Sequence, residues 1–96
     1  MSETGIFTVI AFDVANDKRR RRLVKVLESF GERAQESVFE AWLDGDERRK
    51  LERRALACLD PREDRLALYA LPTADRQDII SIGPTAITQD FTHWLL

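Results

Sequence analysis

The chain has 96 residues, 44% apolar and 33% charged, with 15 Lys and Arg against 17 Asp and Glu and a formal net charge of −2. That is one domain's worth of chain, too apolar for a disordered tail, and it has no apolar run of the roughly 20 residues a membrane helix needs. Its single cysteine, Cys58, excludes an internal disulfide and cannot make a zinc site alone, so a reducing cytoplasm is the expected setting.

Met1-Ser2-Glu3-Thr4 places no basic residue ahead of the apolar stretch 6–12. That stretch is β-branched and aromatic and reads as a strand rather than a signal peptide. Asp13 sits at its C-terminal end. Asn16 or Asp17 offers an N-cap for a helix to about Phe30, and Gly31 is placed as the residue that ends it. Residues 34–43 read as a second strand. Asp44 or Asp46 caps a second helix through about Leu59, which the Asp60-Pro61 pair stops. Residues 64–71 form a third strand and 77–82 a fourth; Gly83-Pro84 breaks the pattern. The expected class is α+β: a ferredoxin-like βαββαβ domain over residues 1–82, with two helices on one face of an antiparallel sheet and a tail over 83–96.

Helices on one side of a sheet ordinarily leave the other side polar. Here Phe7, Val9 and Ala11 oppose Ile6, Ile10 and Phe12 on the first strand, and Leu66, Leu68 and Ala70 oppose Ala67, Tyr69 and Leu71 on the third. Both faces are therefore expected to be buried. A second copy covering the free face makes a homodimer through the sheet, and the tail folding back over its own sheet is the alternative.

The net charge hides a segregation. Lys18, Arg19, Arg20, Arg21, Arg22 and Lys25 fall within eight residues, and a local basic patch matters more for phosphate binding than the average charge. With Leu23, Leu27 and Phe30 on one helix face, Arg19 and Arg20 lie under the apolar stripe, Lys18, Arg21 and Lys25 face solvent, and Arg22 lies on the flank. A charge under the stripe needs a partner or must reach past the sheet edge. Cations at a helix N-terminus also oppose the macrodipole, so Asp13, Asp17 or a bound phosphate is expected to balance them. Asp13 itself has two readings: an Asx turn or a pairing with an arginine, or a hard oxygen ligand for Mg²⁺. His93, the only histidine, lies in the tail, and Cys58 shares a helix stripe with Leu51, Ala55 and Leu59. No phosphate-binding glycine loop, zinc spacing or Ser-His-Asp candidate is present.

Phe12-Asp13-Val14 followed by Asn16-Asp17-Lys18-Arg19-Arg20-Arg21-Arg22-Leu23, the segment from Gly31 through Ser37-Val38-Phe39-Glu40, and Asp60-Pro61-Arg62-Glu63-Asp64 leading into the third strand together resemble the Cas-two family of CRISPR-associated proteins. The resemblance implies a ferredoxin-like homodimer that acts in spacer acquisition with the Cas-one integrase and holds duplex DNA. It also implies that some members are metal-dependent nucleases acting on RNA or duplex DNA. Carried over by position, Asp13 matches the family's metal-binding, catalytic aspartate, with Mg²⁺ shared between the two subunits. Arg20, Arg22 and Arg33 match basic positions near it, joined by Arg19 as a nucleic-acid contact, and Phe12, Ser37 and Phe39 match supporting motif positions. Phe12 and Glu36 stand where the family often has tyrosine, which weakens any mechanism that needs those phenols. Phe91, Trp94, Leu95 and Leu96 are expected to dock a partner edge or to pack within the dimer. No membrane association is expected.

Overall fold

In the computed structural model of the chain, residues 5–71 and the backbone of 78–82 are described. The element order is β1 (Ile6–Asp13), α1 (Asp17–Glu28), β2 (Glu32–Gln35), β3 (Val38–Leu43), α2 (Gly45–Cys58), β4 (Arg65–Ala70) and β5 (Asp78–Ile82). The five strands form one sheet in the order β2-β3-β1-β4-β5. Central β1 pairs antiparallel with both β3 and β4, β2 with β3, and β5 with β4. The first four strands and two helices are the βαββαβ ferredoxin-like arrangement, and β5 is a further strand on the β4 edge.

The expected fold class matches this order, but the expected elements do not. Taken literally, they run βαβαββ, because residues 34–43 stand as one strand. In the structure this region is a hairpin: β2 begins at Glu32, the chain turns at Glu36 and Ser37, and β3 begins at Val38. All four β2 residues are exposed and only Ala34 among them is apolar, so the segment has no apolar alternation to mark it as a strand. Its turn contains no Gly, Pro or Asn. The turn is held instead by the Arg33 guanidinium, which donates from Nε (3.2 Å) and Nη2 (3.0 Å) to the Glu36 carbonyl. A register shift between Arg33 and Gln35 accompanies it.

The helices start where their caps dictate. Asn16 accepts a hydrogen bond from Arg19 N at 2.9 Å. Asp44 and Glu47 form a reciprocal capping box, each bond 2.8 Å long. The first helix stops at Glu28, with Ser29 as its C-cap, earlier than the expected Phe30. Gly31 N still donates to the Leu27 carbonyl at 3.0 Å and helps close the helix end, but the need for glycine at this position comes from β3. A Cβ there would collide with the Glu40 carbonyl oxygen and lie 2.6 Å from Ala41 Cβ, so only glycine lets the chain pass this close to β3.

Leu23 and Leu27 of α1 and Leu51 and Ala55 of α2 pack on Ile10, Phe12, Phe39, Ala41, Leu43, Leu66 and Leu68 of the sheet. Cys58 packs at the margin of this core, as its stripe position implies. On the opposite sheet face, Val9, Ala11, Val38, Ala67 and Tyr69 form a second buried cluster, so both faces of β1 and β4 are apolar and buried, as expected. Glu40 and Trp42 point to that second side from β3 and are exposed; Trp42, 64% accessible, lies against Phe7 with ring centroids 5.2 Å apart. The tail residues Phe91, His93, Trp94, Leu95 and Leu96, and the proposed boundary at 82–83, lie outside the described residues. No helix among the described residues is long and apolar enough to cross a membrane.

Candidate nucleic-acid interface and strand-end site

The C-terminal end of β1, the start of β4, the β2–β3 turn and the first turn of α1 meet at one end of the sheet. Asp13 is the last residue of β1 and stands opposite Arg65 in the β1–β4 register. Its Oδ2 lies 3.2 Å from Arg65 Nη2, with the Asp13 side chain 59% exposed and that of Arg65 28% exposed. The arginine pairing read for Asp13 is thus the one observed.

Its neighbours hold the strand end together. Phe12 N donates to the Ser37 carbonyl at 3.1 Å, so the hairpin turn closes on the end of β1. Phe12 and Phe39 are buried with ring centroids 6.2 Å apart. The Arg33 guanidinium lies over the Phe39 ring at 5.6 Å from its centroid, a cation–π contact on top of its turn-closing hydrogen bonds. Phe12, Ser37 and Phe39 therefore shape the strand end through packing and backbone. The side chain at position 12 points into the core, where a tyrosine hydroxyl would need a buried partner.

The two arginines under the apolar stripe both have partners. Arg19 donates from Nε to Asp64 Oδ2 at 2.7 Å and from Nη2 to Asp64 Oδ1 (3.3 Å) and Glu63 Oε1 (2.9 Å). Asp64 is 1% exposed, and its Oδ2 also accepts from Asp60 N at 2.8 Å. The hydrogen bond to Asp64 comes first among the causes that raise the Arg19 pKa above its ordinary value. This clamp ties the first turn of α1 to the segment entering β4. Arg20 donates from Nη1 to the Val14 and Ala15 carbonyls (3.1 and 3.2 Å) and pairs with Asp17. Arg19 and Arg20 are therefore offset by carboxylates and carbonyls of the same chain, which relieves part of the conflict between cations and the helix macrodipole.

The rest of the helix presents a different surface. Lys18, Arg21, Arg22 and Lys25 are exposed and together line one shallow depression on α1. None of the four has a hydrogen-bonding or ionic partner among the described residues. Of the four arginines expected to contact nucleic acid, Arg19, Arg20 and Arg33 are engaged within the chain, and Arg22 has no partner among the described residues. The three solvent-side cations Lys18, Arg21 and Lys25 extend the surface that Arg22 opens. Helix α2 adds a second basic element that the sequence reading passed over. There Arg48 pairs with Glu52, Arg49 with Asp46, and Arg54 lies over Phe30, while Lys50 and Arg53 are exposed without a partner among the described residues. Arg65, Glu63 and Asp64 were also missed as partners. Their pairing depends on cross-strand register and on contacts more than forty residues apart in sequence, for which no local pattern is a signal.

Tested against a divalent ion, the described residues of one protomer do not fit. No group of three His, Cys, Asp or Glu side chains that could hold a metal occurs among them. Asp13 offers a lone carboxylate that already has a guanidinium against it. Mg²⁺ and Ca²⁺ favour six or more oxygen ligands.

The profile of the family described as CRISPR associated protein Cas2 matches residues 6–79. The chain is 37% identical over 91 residues to a CRISPR-associated endoribonuclease Cas2 of Chloroflexus aurantiacus, covering 95% of this chain and 98% of that one. It is 46% identical over 67 residues to a CRISPR-associated endoribonuclease Cas2 of Thermus thermophilus, covering 70% and 71% of the two chains. Among solved structures, a hypothetical protein from Thermus thermophilus superposes with a TM-score of 0.70 at 38% identity, over 83% of this chain and 95% of that one. Streptococcus pyogenes Cas2 superposes with a TM-score of 0.66 at 26% identity, over 71% and 88%.

Proposed function

The chain belongs to the CRISPR-associated Cas2 family, and from that premise we propose that it is a homodimeric scaffold that binds the backbone of duplex DNA during spacer acquisition with the Cas-one integrase. The observation that carries this reading is the stripe Lys18, Arg21, Arg22 and Lys25 on the exposed face of α1, unpaired among the described residues, in a protein whose net charge is −2. Cations spent on internal pairs, as Arg19 and Arg20 are, do little for a polyanion. Four unpaired cations on one helix face supply the long-range attraction and counterion release that drive sequence-independent binding. Indifference to sequence suits a protein whose DNA cargo changes from one spacer to the next. Lys50 and Arg53 of α2, which packs beside α1 on the same sheet face, extend the basic surface. The homodimer is carried by family membership; the sheet face turned away from the helices is apolar but already buried within one chain, so the dimer contact needs a test of its own by light scattering, with a monomeric mass contradicting it.

The test is reconstitution with a Cas-one integrase from the same source and a labelled duplex. The expected result is one species containing all three on size-exclusion chromatography, lost when Lys18, Arg21, Arg22 and Lys25 are changed together to glutamine. Separate elution of the three components by the unaltered protein contradicts the proposal.

A second reading takes the relatives' names, endoribonuclease and endonuclease, at face value. In it Asp13 serves phosphodiester cleavage of RNA or duplex DNA with Mg²⁺. Because the residues of one protomer do not fit the ion, this reading needs Asp13 of a second copy and the release of Arg65. Weak or absent turnover is the expected outcome for the protein as it stands.

A further inference from the structure

From the strand-end geometry we infer that Arg65 is the resident cation of the Asp13 carboxylate, a guanidinium standing where a divalent ion would have to bind, so that metal and Arg65 compete for the same oxygens. Four observations carry this. Asp13 and Arg65 are direct cross-strand partners, the last residue of β1 against the first of β4, so the sheet register itself brings them together. Their closest approach is 3.2 Å, with Arg65 the less exposed of the two. The Nε of Arg65 is buried with no hydrogen-bond partner. Asp13, through Nη2 of Arg65, is the one carboxylate paired with this guanidinium among the described residues. Finally, no second carboxylate, histidine or thiol joins Asp13 in a metal-holding group among those residues.

The energetics follow from charge. A cation binding Asp13 must first lose the favourable Asp13–Arg65 contact and then tolerate a positive guanidinium close by. Releasing Arg65 also leaves its half-buried guanidinium without an anion, which is costly. The strand end is thus occupied by a cation in the ground state, and Arg65 opposes divalent binding at Asp13. The inference stands apart from the scaffold reading, which needs no metal. Loss of DNA binding by α1 leaves it untouched, because metal affinity is read without nucleic acid.

The experiment titrates Mn²⁺, as the probe for a divalent ion, into full-length protein and follows free Mn²⁺ by electron paramagnetic resonance. Four proteins are compared: wild type, Arg65→Gln, Arg65→Lys and the double variant Asp13→Asn/Arg65→Gln. The expected result is Mn²⁺ affinity about tenfold higher in Arg65→Gln than in wild type. Arg65→Lys, which keeps the charge, stays near wild type, and the double variant loses the gain. Equal or weaker binding by Arg65→Gln overturns the inference, as does an absence of binding in every variant or a gain that survives loss of Asp13. Circular dichroism melts establish that each variant is folded. Should Arg65→Gln fail that criterion, Arg65→Met, which keeps an unbranched apolar stem, carries the same comparison, with the same gain expected.

Discussion

Asp64→Asn tests whether Arg19 is an anchor of the fold. The carboxylate is 1% exposed, and its Oδ2 accepts from both Arg19 Nε (2.7 Å) and Asp60 N (2.8 Å) while Oδ1 accepts from Arg19 Nη2 (3.3 Å). An asparagine has one acceptor oxygen. If that oxygen takes the Oδ2 position, its NH₂ faces Arg19 Nη2; if it takes the Oδ1 position, its NH₂ faces two donors. Either way at least one charge-assisted bond becomes a donor–donor contact. Hydrogen bonds to charged groups contribute about 1.5–3 kcal/mol each, and a buried unsatisfied donor costs a similar amount, so the substitution is expected to cost about 2–3 kcal/mol. For a domain of this size that corresponds to a drop in Tm of about 10–20 °C. The assay is thermal unfolding by circular dichroism at fixed chain concentration, because the proposed dimer would make Tm concentration-dependent. Asp64→Asn and Arg19→Ala should also be non-additive when combined, since they remove one interaction. A Tm shift under about 2 °C, small against the per-kcal scale just used, or full additivity, would refute the clamp.

Three further outcomes follow from the same geometry. Gly31→Ala places a methyl group against the Glu40 carbonyl and 2.6 Å from Ala41 Cβ; with backbone rather than a flexible side chain in the way, a loss of about 2–3 kcal/mol is expected in urea unfolding, and a neutral result would mean that the hairpin is not seated against Gly31. Arg33→Ala removes the two hydrogen bonds to Glu36 O and the contact over Phe39; amide hydrogen exchange in β2 should accelerate more than in β1, whereas uniform acceleration would disprove a local role. The Asp60 carboxyl is held below its ordinary value of 3.8, first by the hydrogen bond from Arg62 N. It therefore contributes stability that is present above its unfolded pKa and is lost as pH falls through the lowered folded value. Asp60→Asn should flatten the fall in Tm on the acid side of about pH 4, and an unchanged acid limb in the variant would contradict that role.

What the sequence made legible follows from where the information sits. Local chemistry was readable: the caps to within a residue or two, with Asn16 chosen over Asp17 and Asp44 over Asp46 only by the structure, Leu23 and Leu27 on the buried side of α1, and the apolar character of both faces of β1. The partner demanded by Arg19 was also foreseeable, since a charge under the core stripe must be answered, although its identity was not. Asp64 lies 45 residues away, and only the packed fold brings it there. The β2–β3 hairpin was invisible because its first strand has no apolar residue facing a core and its turn is closed by an arginine side chain. Arg65 was missed for a related reason: its meeting with Asp13 is set by cross-strand register, which no single strand reveals. Family membership is what the combined motifs carried best, and residues 6–79 match the family profile.

The central claim, that the exposed basic stripe on α1 grips a nucleic-acid backbone, is tested most directly by the salt dependence of duplex binding. Fluorescence anisotropy with one labelled duplex, measured across a series of salt concentrations, compares the wild type with a variant carrying Lys18→Gln, Arg21→Gln, Arg22→Gln and Lys25→Gln. The account predicts weaker binding at low salt and a slope of log K against log salt that flattens by about 0.9 for each phosphate contact removed. An unchanged slope in a folded variant would contradict the account and move the nucleic-acid surface elsewhere on the protein.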